Sequence, residues 1–121
     1  MKKFLAVYLG TAENVEASGW NALSQDERRS REKAGIEAWR KWGRTHRDCI
    51  VDGGAPVGKT KRASAAGIDN AKNNICAYVV VEAESHEAAA RLFENHPHFT
   101  IFPGEAIDIM ECLPTPGPQG E

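Results

Sequence analysis

Residues 52–60 read DGGAPVGKT, and from Gly53 they fit the pattern G-x-x-x-x-G-K-[ST]. If this is a phosphate-cradling loop, the fold around it is a parallel α/β sheet. If it is a strand end followed by a glycine turn, an antiparallel sheet is equally open. The flanking sequence decides, because the pattern acquires meaning only between a buried strand and a helix whose N-terminus receives the phosphate. A short strand, residues 49–52, precedes it. The segment after it, TKRASAAGIDNAKNN (60–74), has no apolar helical stripe and is interrupted by Gly67. Only one convincing helix and two strands remain after Thr60, too few for the crossovers of a nucleotide-hydrolysing sheet. The stretch therefore reads as a turn into a basic hairpin or long connection, with Lys59, Lys61 and Arg62 available for a loose anion contact at most.

Working outward, residues 75–82, ICAYVVVE, form a β-branched strand. Ser85 caps a second helix, HEAAARLFEN, with Ala88, Ala89, Leu92 and Phe93 on its apolar face and Pro97 as its stop. HPHFTIFPG is a compact connection, and 106–113 alternate as a last strand. Upstream, KFLAVYL (3–9) alternates as a first strand, and 10–19 read as a loop. Ser24-Gln25-Asp26-Glu27 is an S-x-x-E capping box opening a helix to about His46. Its stripe at helical spacing is Gly35, Trp39, Trp42 and His46. The order β-α-β-β-α-β is the split βαβ of ferredoxin-like α+β folds, with both helices on one face of a four-stranded antiparallel sheet. The other face is also apolar at alternate positions. A monomer would leave it wet, so pairing through sheet faces as a homodimer is expected.

Composition agrees with one domain, 1–114, followed by a flexible tail, 115–121. The 121 residues are 41% hydrophobic and 26% charged, enough for one modest core without staples. No apolar run approaches the roughly 20 residues that span a bilayer. The apolar run Phe4–Leu9 is short for a secretory leader, so a mature cytoplasmic chain is expected. Cys49, Cys76 and Cys112 are odd in number, far apart and flanked by apolar residues, which suggests buried free thiols. The net charge of −2 hides an asymmetry: eleven Lys/Arg against four Asp/Glu between Arg28 and Arg62, and one against eight from Asn73 onward. Acids interleave with the basic residues and no aromatic stacking platform accompanies them, so a solvated helix face is preferred over nucleic-acid binding.

These segments together resemble the YCII-related family: KFLAVYLG, the long capped helix, the turn in DGGAPV, ICAYVVVEAES, HEAAARLFENHPHF and EAIDIMECLP. The resemblance spans about residues 3 to 114, and its most specific piece is the strand, E-S-x-E-A-A, then HPHF, then a closing strand. It implies a ferredoxin-like domain that forms a dimeric α+β barrel. It also implies a pocket between helix and sheet, served in some members by a His–Asp pair, with one type removing chloride from a chlorinated hydroxyquinol. The familiar short members carry the histidine early in the first helix. The equivalent segment here, SREKAGIEAWRKW, has none, so that dyad is not carried over.

The residues themselves offer another site. His96 and His98 flank Pro97, and imidazoles suit proton transfer near neutral pH. Asp52, at the end of a neighbouring strand, can orient one of them. This gives His98, His96 and Asp52 as catalytic candidates, and Trp39, Trp42, His46 and Phe99 as ligand-binding candidates in a pocket walled by the first helix, the sheet and HPHF. The chemistry would be acid–base, of lyase or isomerase type, on a small aromatic or carbonyl compound. In the alternative reading His96 caps the helix C-terminus, His98 bonds a loop carbonyl, and the protein is a non-catalytic dimeric accessory or regulatory module. H-x-H can also hold a metal with Asp52, Glu105 or Cys112, but no conventional third-ligand spacing supports one. No metal or cofactor is assigned.

Overall fold

The computed structural model describes residues 1–116; 117–121, most of the expected C-terminal tail, lie outside the described residues. Strand β1 (Lys2–Leu9) runs into a short helix α1 (Ala12–Ala17), then into the long helix α2 (Gln25–Thr45). Strands β2 (Ile50–Pro56), β3 (Thr60–Ser64), β4 (Gly67–Ala71) and β5 (Ile75–Ala83) come next, then α3 (His86–Arg91), α4 (Pro97–Thr100) and β6 (Ala106–Glu111). The main sheet has the order β2-β5-β1-β6 with every neighbouring pair antiparallel. This is a ferredoxin-like α+β fold, as the order of elements predicts.

Alternation along the strands makes the core. Phe4, Ala6 and Tyr8 of β1 and Ala77, Val79, Val81 and Ala83 of β5 are buried together with Ala89 and Phe93. Trp39, Trp42, Ile50, Ile107 and Ile109 pack against them. Phe4 and Val81 are completely buried, and each such side chain stabilises the fold by about 1.5–3 kcal/mol. The capping box at Ser24 forms as expected: Ser24 Oγ accepts from the Glu27 N–H, and the Glu27 carboxylate accepts from the Ser24 N–H. These bonds hold the Glu27 carboxyl below its usual range.

Five local expectations change. The 10–19 loop contains α1, because the Thr11 hydroxyl accepts from the Asn14 N–H and caps a turn too short to show an apolar stripe. Strand β2 does not stop at Asp52 but continues to Pro56 across two register shifts against β5. Gly54 permits this, adopting φ +67 beside the Tyr78 carbonyl. The second helix is shorter than HEAAARLFEN, ending at Arg91, with Asn95 left-handed at φ 55. Pro97 does not merely stop it; Pro97 opens α4 at the helix position where a missing N–H costs nothing. The cysteines are free but not buried: Cys49 is half-buried, while Cys76 and Cys112 lie near strand ends and are exposed.

The 60–71 segment is a five-pair hairpin, β3–β4. It stands away from the main sheet, with every residue from 61 to 70 exposed. On the main sheet, the face away from the helices carries Leu5, Val7, Leu9, Tyr78 and Val80, with Met110 43% exposed. Among the described residues, no helix is long and apolar enough to cross a membrane.

Candidate functional site

A cavity of about 630 Å³ opens between α2 and the β2–β5 half of the sheet, within the size range of small-molecule sites. Helix α2 contributes Trp39 and Trp42 at helical spacing. Strand β1 contributes Tyr8, and α4 and its following loop contribute His98 and Phe102. The bulged β2 edge, from Gly53 to Pro56, forms the opposite rim. Gly35 matters here although it does not line the cavity, because the Phe102 ring lies where its side chain would be.

The two histidines do converge, through the start of α4 rather than along an extended segment. His96 is its N-cap: Nδ1 accepts from the His98 N–H at 3.0 Å. That nitrogen therefore carries no proton, and the neutral ring bears its hydrogen on Nε2. Nε2 lies 3.3 Å from the Tyr8 hydroxyl and donates to it. Tyr8 already accepts that bond, and its own O–H has no acceptor among the described residues. Burial holds this phenol well above its ordinary pKa, so it remains a donor.

His96 is completely buried. Its pKa falls to about 3, chiefly through burial and then through the neighbouring His98 and His46. Trp39 and Trp42 meet its ring edge-on, at centroid distances of 4.5 and 4.9 Å. His98 lies on the cavity wall. Its Nε2 donates to the Leu9 carbonyl at 2.7 Å, which leaves the lone pair of the neutral ring on Nδ1. Burial lowers its pKa, and the Leu9 and Ala106 carbonyls oppose that shift. Gly104 gives this ring its room, since a side chain there would meet the imidazole and the His98 carbonyl.

The other candidates are placed unevenly. Trp39 and Trp42 line the cavity, and Trp42 Nε1 also donates to the Leu92 carbonyl at 2.7 Å. His46 packs at a tilt beside Trp42 at the end of α2, outside the lining. Phe99 is 39% exposed and does not line the cavity; Phe102, three residues on, lines it instead. Asp52 does not join the histidines. It pairs in register with Val80, on the face away from the helices, and its Oδ1 accepts from the Gly54 N–H at 2.8 Å. The carboxylate braces the glycine turn, and no Asp52–imidazole pair forms. Among the described residues no three His, Cys, Asp or Glu side chains are grouped to hold a metal.

Sequence reasoning missed Tyr8, Arg40 and Phe102. Tyr8 was legible as a residue of the helix-facing side of β1, since it alternates with Phe4 and Ala6. Gly35 in mid-helix was a signal that a bulky neighbour approaches, but nothing in the sequence named Phe102 as that neighbour.

The fold and cavity define a class: a ferredoxin-like α+β domain with an aromatic cavity between its long helix and its sheet. No family model matches the chain, and no curated protein matches it. Among solved structures, it is similar to the 5-chloro-2-hydroxyhydroquinone dehydrochlorinase TftG from Burkholderia phenoliruptrix AC1100, in complex with 2,5-dihydroxybenzoquinone. The TM-score is 0.55 at 13% identity, covering 93% of this chain and 95% of that chain. At that identity the likeness is one of fold.

Proposed function

We propose that this is a YCII-like cytoplasmic protein that binds a small aromatic or carbonyl compound and performs acid–base chemistry of lyase or isomerase type on it. The observation that carries the reading is His98, a neutral imidazole on an aromatic-walled cavity with its Nε2 proton tied to the Leu9 carbonyl. Its remaining lone pair, on Nδ1, is the base. The Tyr8 O–H, freed by accepting from His96, is the donor for an oxygen on which charge grows. When His98 removes a proton, the electrons of the broken bond enter the ring or carbonyl system, where they can expel a leaving group. TftG, whose name describes dehydrochlorination of a substituted hydroquinone, supports this class of compound. Asp52 has no part in the scheme.

The protein works as a homodimer in this reading. The apolar sheet face of Leu5, Val7, Val80 and Met110 would be covered by the same face of a second copy, and sedimentation at micromolar concentration is expected to give about twice 13.2 kDa.

One observation favours the second reading, a non-catalytic dimeric module: both imidazoles are also structural, tying α4 to β1. His98→Gln separates the two, because its side-chain amide can keep the bond to Leu9 while lacking a base. With 2,5-dihydroxybenzoquinone as probe, calorimetry measures binding and proton NMR in D2O measures exchange of the ring hydrogens. Wild type is expected to bind the probe and accelerate exchange, with about a hundredfold lost in His98→Gln and binding kept. Binding without accelerated exchange supports the accessory module; no binding ends the cavity reading.

A further inference from the structure

The cavity wall is almost wholly uncharged. Among its lining residues there is no Asp or Glu, and with His98 neutral the one charged side chain is Arg40. Arg40 is exposed, one residue beyond Trp39 on α2, and has no ion pair or hydrogen bond among the described residues. Helix α2 carries seven Lys/Arg against four Asp/Glu; within one turn of Arg40 lie Lys41 and Arg44 on its C-terminal side and Glu37 on its N-terminal side. The acid nearest the rim in sequence, Asp52, is committed to the Gly54 N–H.

From this geometry we infer that the cavity selects an aromatic anion, a ring bearing a carboxylate or an ionised hydroxyl, with Arg40 binding the charged oxygens at the mouth. The inference rests on the cavity being the binding site and adds the class of ligand. The ring lies among Trp39, Trp42 and Phe102. The guanidinium offers paired N–H donors to a planar oxyanion in a geometry that a lysine cannot copy. A neutral ligand gains nothing from this group. A cationic ligand meets repulsion and finds no carboxylate on the wall. Because Arg40 is already solvated and unpaired, engaging it breaks no internal contact, so its charge serves selection at little cost to the fold.

The matched probes are 4-hydroxybenzoate and 4-hydroxybenzamide, alike in shape and different in charge. Titration calorimetry is run on wild type, Arg40→Gln and Arg40→Lys, with circular dichroism showing that each variant is folded. Wild type is expected to bind the anion about tenfold more tightly, the worth of one charge-assisted contact at a wet rim. In Arg40→Gln the ratio falls to about one, while the affinity for the amide stays constant; Arg40→Lys restores part of the preference. Equal affinities in wild type, or a preference that survives Arg40→Gln, overturn anion selection and leave the cavity reading standing. Binding of neither compound overturns both.

Discussion

The Tyr8 hydroxyl and His96 Nε2 face each other across 3.3 Å inside the core, and the direction of that bond is set two residues away. Because His96 Nδ1 accepts from the His98 N–H, the proton must sit on Nε2 and Tyr8 must accept it. A helix cap thus decides which way a cavity hydroxyl donates. His96, which does not line the cavity, acts on it through Tyr8.

Tyr8→Phe leaves the His96 Nε2–H buried without an acceptor, and an orphaned buried donor costs about 1–3 kcal/mol. Urea denaturation is expected to show that loss with an unchanged m-value. Nitrogen NMR of the wild-type imidazole should show a single protonated nitrogen, Nε2, at neutral pH. A proton on Nδ1 would contradict the cap and the donor role of Tyr8 together.

Stability should fall as the solution becomes acidic below neutrality. Both imidazoles have pKa values below the usual 6.5, His96 down to about 3 and His98 in the same direction. The unfolded chain therefore takes up protons first. The stabilisation is fully present above about pH 6.5 and is lost as pH falls toward the folded values, at about 1.4 kcal/mol per pH unit for His96. His98, shifted in the same direction, adds to the slope below pH 6.5. Urea midpoints between pH 7.5 and 4.5 test this. His96→Asn, which keeps an N-cap side chain, should flatten the dependence; an unaltered slope would place its origin elsewhere.

How much of this was legible in the sequence depends on how local each signal is. The capping box, the Trp39 and Trp42 stripe and the ICAYVVVE strand depend on neighbours within a turn or a strand, and all appear in the fold. The placement of Asp52 depends on the register shift between Ile50 and Asp52 against β5, a tertiary event that residue order does not encode. Phe99 and Phe102 are equally aromatic, and only the turn of α4 begun by Pro97 chooses between them. The role of His96 needed its N-cap geometry, which the reading of Pro97 as a stop signal concealed.

The two glycines of DGGAPVGKT should respond oppositely to alanine. Gly53 has open space where a side chain would go, so Gly53→Ala changes stability by less than about 0.5 kcal/mol. Gly54 has φ +67, and a side chain there would run into the Tyr78 backbone carbonyl. Strain and displacement of β5 cost Gly54→Ala about 2–4 kcal/mol. Thermal denaturation of the pair decides, and equal effects would argue against the bulge.

The basic hairpin should be dispensable to the main sheet. Its strands pair only with each other, and the bond from the Val57 N–H to the Cys76 carbonyl already closes its root. Replacing 59–74 by a two-residue Asn-Gly turn shortens the loop without removing core contacts. The melting temperature should stay within about 4 °C, roughly the effect of 1 kcal/mol in a domain of this size. A larger fall would mean that β3–β4 supports the sheet, or its pairing with a second copy.

Cys76 offers a footprint of cavity occupancy that needs no turnover. It lines the cavity, whereas Cys112, also exposed, does not. Partial burial raises the Cys76 thiol pKa, so alkylation by iodoacetamide is best followed in alkaline solution, where more of the thiol is the reactive thiolate. 4-Hydroxybenzoate at ten times its Kd leaves about one molecule in eleven unoccupied, so modification of Cys76 should slow about tenfold. Cys112 in the same molecules serves as the internal control and should react at its original rate. Slowing at both thiols would indicate a general effect on stability, and slowing at neither would place the bound compound away from the β5 wall.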